Sequence, residues 1–460
     1  MAGFMALSWG FSLGGTVLCL FGLYRAGNMI RILEGRMHEH YLRRAVRRSM
    51  WWLAGMQTVV LSTWLAYQHL SVHTHILWSI LATAQLLVAA VLCATAVRHM
   101  RRTAWPQTPT HYSDAELPTV TVAIPARNET DDLQACLASI VASNYPKLEI
   151  IVLDDCSQMR RTPEIIRGFA HDGVRFVKGE EPDLTWLPKN QAYDHLADEA
   201  NGDFILFCGV DIRFDPGALR NIVGVMLARK KHMMSILPER DSSVRAQRAL
   251  TQAMRYMWEL VPPRRLFKRP PVLSSCWIIQ KSSLKAAGRF AAVRRSIVPE
   301  AHFARFTAAA DTYSFMRAGR NPGVRSVKAA REQYGTAVRM RYPQLHRRPE
   351  SVLLLATAEF VYVLLPFVLA IGGYWLGVGV LATVLASITM LLLVATYLFV
   401  AYGTKLDGGP LAVCMLPVVI INDLLILHRS MWQYEFSEVA WKGRNVCVPA
   451  MHVIPHLPKL

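Results

Sequence analysis

Residues 1–24, 51–70 and 76–97 contain no Asp, Glu, Lys or Arg, and neither does the longer stretch Phe360–Thr404. Each of the first three is long enough to cross roughly 30 Å of hydrocarbon. The last is long enough to cross twice, with a tight turn near Gly372–Gly373. The charge of the chain is concentrated between these runs, so the pattern is that of membrane anchors around a soluble middle. It divides the sequence into a membrane region 1–106 with three spans, a soluble domain 107–350, and a second membrane region 351–460 with two spans inside 352–404. The aromatic content, the lack of heptads and the scattering of the eight cysteines exclude a disordered chain, a coiled coil and a disulfide scaffold. Those cysteines form no CxxC pair and read as reduced thiols.

Orientation follows from the basic flanks. The loop 25–50 carries Arg25, Arg31, Arg36, Arg43, Arg44, Arg47 and Arg48 against Glu34 and Glu39, and Arg98, Arg101 and Arg102 follow the third span. Both flanks are cytoplasmic by the positive-inside rule, which places the soluble middle in the cytoplasm of a multi-pass protein of the cell membrane. No Lys or Arg precedes the first apolar run, so a secretory signal is not expected. The segment 411–427 contains Pro417 and Asp423 and precedes a basic tail, so it is expected to be re-entrant or interfacial. Glu359, at the cytoplasmic end of its helix, reads either as a functional residue or as one close enough to the interface to stay hydrated. The net charge of +18 is accounted for by these flanks and anionic headgroups, and no nucleic-acid partner is expected.

From Leu117 the texture changes to short β-branched runs. TVTVAIPA (119–126), LEIIVLDD (148–155), VRFVKG (174–179) and DFILFCGV (203–210) read as buried strands, with helices beginning near Thr130, Thr162, Pro188 and Asp215. Such alternation implies a parallel sheet with ligands at the carboxyl ends of its strands. Arg127–Asn128–Glu129, Asp154–Asp155 and Asp211 fall at those ends.

The order AIPARNE, LEIIVLDDCS, WLPKNQA, NGDFILFCGVDIRFDPGAL resembles the nucleotide-sugar domain of family 2 glycosyltransferases over roughly residues 118–345. The tail WKGR (441–444) resembles a segment of membrane-bound members that glycosylate lipids. The resemblance implies an α/β fold: a GT-A, Rossmann-like domain with a mostly parallel sheet, flanked by transmembrane α-helices. It implies transfer of a sugar from a nucleotide-sugar donor, uridine-based, to a lipid acceptor at the cytoplasmic face by metal-assisted inverting displacement. A non-catalytic homologue that binds nucleotide sugar or lipid, and a processive polysaccharide synthase, are the alternatives.

The same resemblance assigns roles. Asp155 is similar in position to the residue that accepts the uracil N3–H, and Glu129 approaches ribose or uracil in a loop shaped by Pro125 and Arg127. Lys189 matches a basic position near the donor phosphates, with Pro188 in place of the usual glycine. The family's Asp-x-Asp, which holds Mg2+ or Mn2+, appears as Gly209–Val210–Asp211, so Asp211 is the remaining metal ligand. For the general base, Glu300 stands first, with Ala301 where an Asp is usual. Asp311 stands second, because DTYSFMRAG (311–319) resembles the helix that follows the base, and His302 is a third option. Arg341 and Tyr342 fit the last two places of Gln-x-x-Arg-Trp, where arginine meets diphosphate, with Val338 replacing glutamine. Each residue also has a plain alternative: Asp154 or Asp155 as a helix cap, Glu129 as an N-cap, Lys189 as an exposed lysine at a helix start, and Arg341 and Tyr342 in a basic juxtamembrane segment.

Overall fold

The computed structural model describes residues 74–106, 112–183, 185–244, 250–264, 269–319, 321–406, 414–436 and 439–445. The first two expected spans and the basic loop 25–50 lie outside them. Among the described residues, four helices are long and apolar enough to cross a membrane: Thr74–Arg102, Pro349–Gly372, Val380–Gly403 and Met415–Glu435. This is a multi-pass membrane protein. Of the segment 411–427, expected to be re-entrant or interfacial, the residues from Met415 onward belong to one continuous helix, Met415–Phe436. Its polar residue Asp423 is buried and is paired inside the protein, as described below.

The described residues divide into two compact units, those of 74–89 with 361–391 and those of 90–360 with 392–445. The first packs Ala82 against Leu365, Leu369, Val378, Ala382 and Ala386. Its helical segment passes through a π-helical turn, Phe360–Leu364, where the regular backbone ladder is interrupted. The Gln85 side-chain amide donates to the Val361 carbonyl there at 2.8 Å.

The second unit is built on a seven-stranded sheet. Its strands are β1 (Val120–Ala126), β2 (Leu148–Asp154), β3 (Val174–Lys178), β4 (Phe204–Cys208), β6 (Met233–Leu237), β8 (Cys276–Gln280) and β9 (Tyr313–Arg317), in the order β3-β2-β1-β4-β8-β6-β9. Strand β8 runs antiparallel to β4 and β6, and the remaining pairs are parallel. The result is a mixed, mostly parallel sheet. Side chains alternate across it: Val120, Val122 and Ile124 enter one core and Ala123 the other, while Ile150 and Val152 oppose Ile151 and Leu153. Burial on both faces is why these strands read as unbroken apolar runs. The second core contains Tyr193, Phe207, Trp277, Phe290 and Phe303, with Phe207 stacked on Trp277 at 4.5 Å between ring centroids.

A smaller sheet, β5 (Ile212–Phe214), β10 (Val324–Ser326) and β7 (Glu239–Arg240), stands beside the end of β4. The last element is a hairpin of β11 (Ala440–Trp441) and β12 (Arg444–Asn445). One expectation is corrected by the large sheet: Asp311–Gly319 does not form a helix, because Tyr313–Arg317 pairs in parallel with β6.

Candidate functional site

Because β1, β2 and β4 are parallel, their carboxyl ends share one edge, and register pairs Ala126 with Asp154. Pro125 lies beyond Ala123, the last β1 residue paired with β4, so its missing N–H costs no ladder bond on that side. Arg127 is buried, and its Nη1 donates to the carbonyls of Asp155 and Cys156, both at 2.6 Å. It ties two strand-end loops together. Asn128 takes a left-handed conformation with φ 49°, tolerable for asparagine, and its Oδ1 accepts the N–H groups of Gln158 and Met159 at 2.8 and 3.2 Å.

The terminal hairpin returns to this edge. Its two-residue loop, Lys442–Gly443, has φ of 47° and 79°, the positive pair that a tight type I′ turn requires. Lys442 pairs with Glu129. Arg444 Nη1 donates to Asp155 Oδ1 at 2.7 Å, and its Nη2 reaches Glu181 at 2.9 Å. The Arg127 Nε donates to the Lys442 carbonyl at 3.1 Å. Both acids that the resemblance assigned to the nucleotide therefore face a basic residue of WKGR. Burial pushes the Glu129 and Asp155 carboxyls up from their ordinary values, while Lys442 and Arg444 pull against it.

Glu300 opens the helix Glu300–Ala309. It is fully buried, and neither carboxylate oxygen has a hydrogen-bond partner. Lys189, one residue after the proline that starts the helix Pro188–Glu199, lies within electrostatic reach of Glu300 and of Asp211. Its ammonium is 5.1 Å from the Tyr193 ring centroid, and burial lowers its pKa while Glu300 opposes that shift. The helix start at Pro188 explains the missing glycine, since proline is pre-organised for the first helical position. The next residue, Asn190, escaped the sequence reasoning. Its amide donates to the carbonyls of Val293, Arg294 and Ser296 at 2.9, 3.1 and 2.8 Å, fixing the loop that leads to Glu300. The Lys-Asn pair in WLPKNQA was the available signal.

The other two base candidates are not gathered here. Asp311 is exposed, follows the far end of the ten-residue helix that Glu300 begins, and pairs with Lys231 at 3.5 Å. A helix of that length separates its ends by about 15 Å. His302 is engaged through Nε2 with the Ala287 carbonyl at 2.9 Å.

The residues expected to hold a divalent cation do not fit one. Asp211 is the sole carboxylate of the Gly209–Val210–Asp211 segment, and its Oδ2 lies 3.9 Å from the Lys328 ammonium. The carboxylate folds back over Gly209, so a Cβ placed there would overlap its Oδ1. Nearby Asp132 pairs with Arg213 at 2.8 Å. Among the described residues, no three His, Cys, Asp or Glu side chains gather. Hard divalent cations need several oxygen ligands, and here one carboxylate already answers a lysine.

Tyr342 is fully buried and the Arg341 side chain is nearly so. Arg341 Nε donates to Asp423 Oδ2 at 3.1 Å and its Nη2 to Glu359 Oε1 at 3.2 Å, with the guanidinium 4.6 Å from the Trp258 ring centroid. Glu359 is therefore a buried ion-pair partner and not a hydrated interfacial residue. The Tyr342 hydroxyl donates to Glu435 at 2.6 Å.

Residues 121–288 match the family model described as Glycosyl transferase family 2. A 99-residue stretch is 31% identical to Glycosyltransferase AglE of Haloferax volcanii, covering 21% of this chain and 31% of that protein's length. The structure is similar to a mannosyltransferase of Pyrobaculum calidifontis solved with GDP-Man and Mn2+ (TM-score 0.46, 15% identity, 77% of this chain and 99% of that one). It is also similar to S. aureus TarS 1–349 solved with UDP-GlcNAc (TM-score 0.34, 13% identity, 67% and 90%). Residues 121–288 of this membrane protein thus match glycosyl transferase family 2, on a mixed, mostly parallel sheet consistent with a GT-A domain.

Proposed function

We propose that the protein moves a sugar from a nucleotide-sugar donor, uridine-based, to a lipid acceptor at the cytoplasmic face of the membrane, with inversion at the anomeric carbon. The observation that carries this reading is Glu300, a fully buried carboxylate whose oxygens have no hydrogen-bond partner, within electrostatic reach of Lys189, which also feels Asp211. An unpaired buried carboxylate is costly, and such groups concentrate where chemistry uses them. In a single displacement the acceptor oxygen bonds to the anomeric carbon as the bond to phosphate breaks, and the electron pair leaves with the diphosphate. The acceptor's hydroxyl proton passes to Glu300 as general base. Asp155 and Glu129 receive the base and ribose, Arg127 and Pro125 hold their loop, and Lys189 faces the phosphates. The lipid acceptor is supported by the four apolar helices and the cytoplasmic side by Arg98, Arg101 and Arg102 at the end of the first described helix.

The test is a panel of UDP- and GDP-sugars with membrane extract. Glu300→Gln is expected to lower transfer by about 10²-fold or more, the range for losing a general base, with nucleotide affinity retained. Unchanged turnover removes Glu300 from the chemistry. A wild-type protein that binds nucleotide and turns over no donor is the outcome of the non-catalytic reading, which Gly209 and Ala301 favour. A polymeric product is the outcome of the processive one.

A further inference from the structure

The place where the family's metal would stand is met by cations of the protein itself. Strand β10 pairs antiparallel with β5, Ser326 opposite Ile212, and the Val327 N–H donates to the Asp211 carbonyl at 2.9 Å. This ladder delivers Lys328 to Asp211, 3.9 Å between ammonium and carboxylate, with the Lys328 side chain still 30% exposed. Lys189 senses Lys328, Arg255 and Asp211 together. Arg255 shares the carboxylate of Glu259, 3.4 Å away, with Arg264, which meets it at 2.8 Å, so two guanidinium groups stand against one acid. Asp132 and Glu129 are already matched by Arg213 and Lys442. Lys328 stands against Asp211, and Lys189 lies within electrostatic range of Lys328, Arg255, Asp211 and Glu300, a preponderance of cations that disfavours a free divalent ion and attracts a dianionic diphosphate.

We propose that Lys328, assisted by Lys189 and Arg255, takes the charge of the departing diphosphate, so that donor binding and departure need no divalent metal ion. The inference rests on the nucleotide-sugar reading above. When the anomeric C–O bond breaks, the electron pair stays on the phosphate oxygen, and the Lys328 ammonium donates a hydrogen bond to the growing negative charge. The nucleoside diphosphate leaves intact, and no electrons pass to another group. Asp211 then positions the Lys328 ammonium, and the bare Cα of Gly209 leaves its carboxylate room to do so.

The experiment is calorimetric titration of the intact protein in detergent with UDP and with GDP, first in excess EDTA and then in Mn2+, with uridine and guanosine as phosphate-free probes. One diphosphate is expected to bind with the same affinity in both buffers. Lys328→Ala should weaken that diphosphate by about tenfold or more, as for loss of a hydrogen bond to a charged group, while the affinity for the matching nucleoside is unchanged. Lys328→Arg should restore diphosphate binding. Lys328 is partly exposed, and unchanged nucleoside binding certifies that the variant is folded. Diphosphate binding that appears only with Mn2+ overturns the inference and leaves the donor reading standing. Equal diphosphate affinity in wild type and Lys328→Ala also overturns it. If neither diphosphate binds in either buffer, the donor reading fails and this inference falls with it.

Discussion

Arg444 donates from Nη1 to Asp155 Oδ1 at 2.7 Å across 289 residues of sequence, and both side chains are about nine-tenths buried. The last described element is thereby fastened to the carboxyl end of a central strand. Arg444→Met leaves a buried carboxylate without its cation, at an expected cost of about 1–3 kcal/mol. Burial already raises the Asp155 pKa above 3.8, and losing the arginine raises it further. An acid whose folded pKa is raised carries its penalty above that pKa and sheds it as pH falls toward the unfolded value. The melting-temperature gap between Arg444→Met and wild type should therefore be widest at neutral pH and narrow on acidification toward the ordinary aspartate range. A gap that grows on acidification contradicts the assignment.

A second expectation concerns Arg341, which answers both Asp423 and Glu359. Arg341→Met strands two carboxylates among apolar helices and should cost about 3–5 kcal/mol, as for breaking a buried pair. Adding Asp423→Asn should recover part of the loss. Unfolding midpoints in detergent measure both, and additive losses in the double variant would show that the groups are not coupled.

Glu300 opposes the lowering of the Lys189 pKa by burial. Glu300→Gln removes that opposition, so more of Lys189 is neutral at a given pH. Acylation of Lys189 by a small anhydride at pH 8, followed by mass spectrometry, should be faster in the variant. An unchanged rate means that the two groups do not sense each other.

Restoring the family's missing acid should not restore a metal site. A Cβ at position 209 overlaps Asp211 Oδ1, so Gly209→Asp must displace the carboxylate it is meant to assist. Calorimetry is expected to show no gain in Mn2+ affinity over wild type, and a clear gain would mean that the loop opens freely.

Orientation is checked by labelling intact cells with an impermeant maleimide. Ser71→Cys should react in intact cells, and Asp172→Cys only after permeabilisation, as the arginine flanks require. The reverse pattern would invert the topology.

The strands β1 to β4 and the starts of the helices between them were legible because burial on both faces leaves an unbroken β-branched run, ended by polar residues where the chain leaves the sheet. For the same reason Glu129, Asp155 and Asp211 read as strand-end residues from the sequence alone. The direction of β8 and the strand nature of Tyr313–Arg317 were not legible. Both depend on which neighbour each strand meets, Met233–Leu237 for the latter, and a five-residue segment carries no periodicity that names its partner.

What the sequence determined by itself was the local and the one-dimensional: apolar runs long enough to cross a bilayer, the alternation of strand and helix, and acids at strand ends. What only tertiary structure decided was how those charges are matched. Arg444 meets Asp155, Lys442 meets Glu129, Lys328 meets Asp211 and Arg341 meets Asp423, while Glu300 is left unmatched. The physical reason is that a charge taken out of water must find its partner wherever packing delivers one. Packing brings together residues whose separation along the chain, 82 for Arg341 and Asp423 and 289 for Arg444 and Asp155, leaves no mark in local pattern.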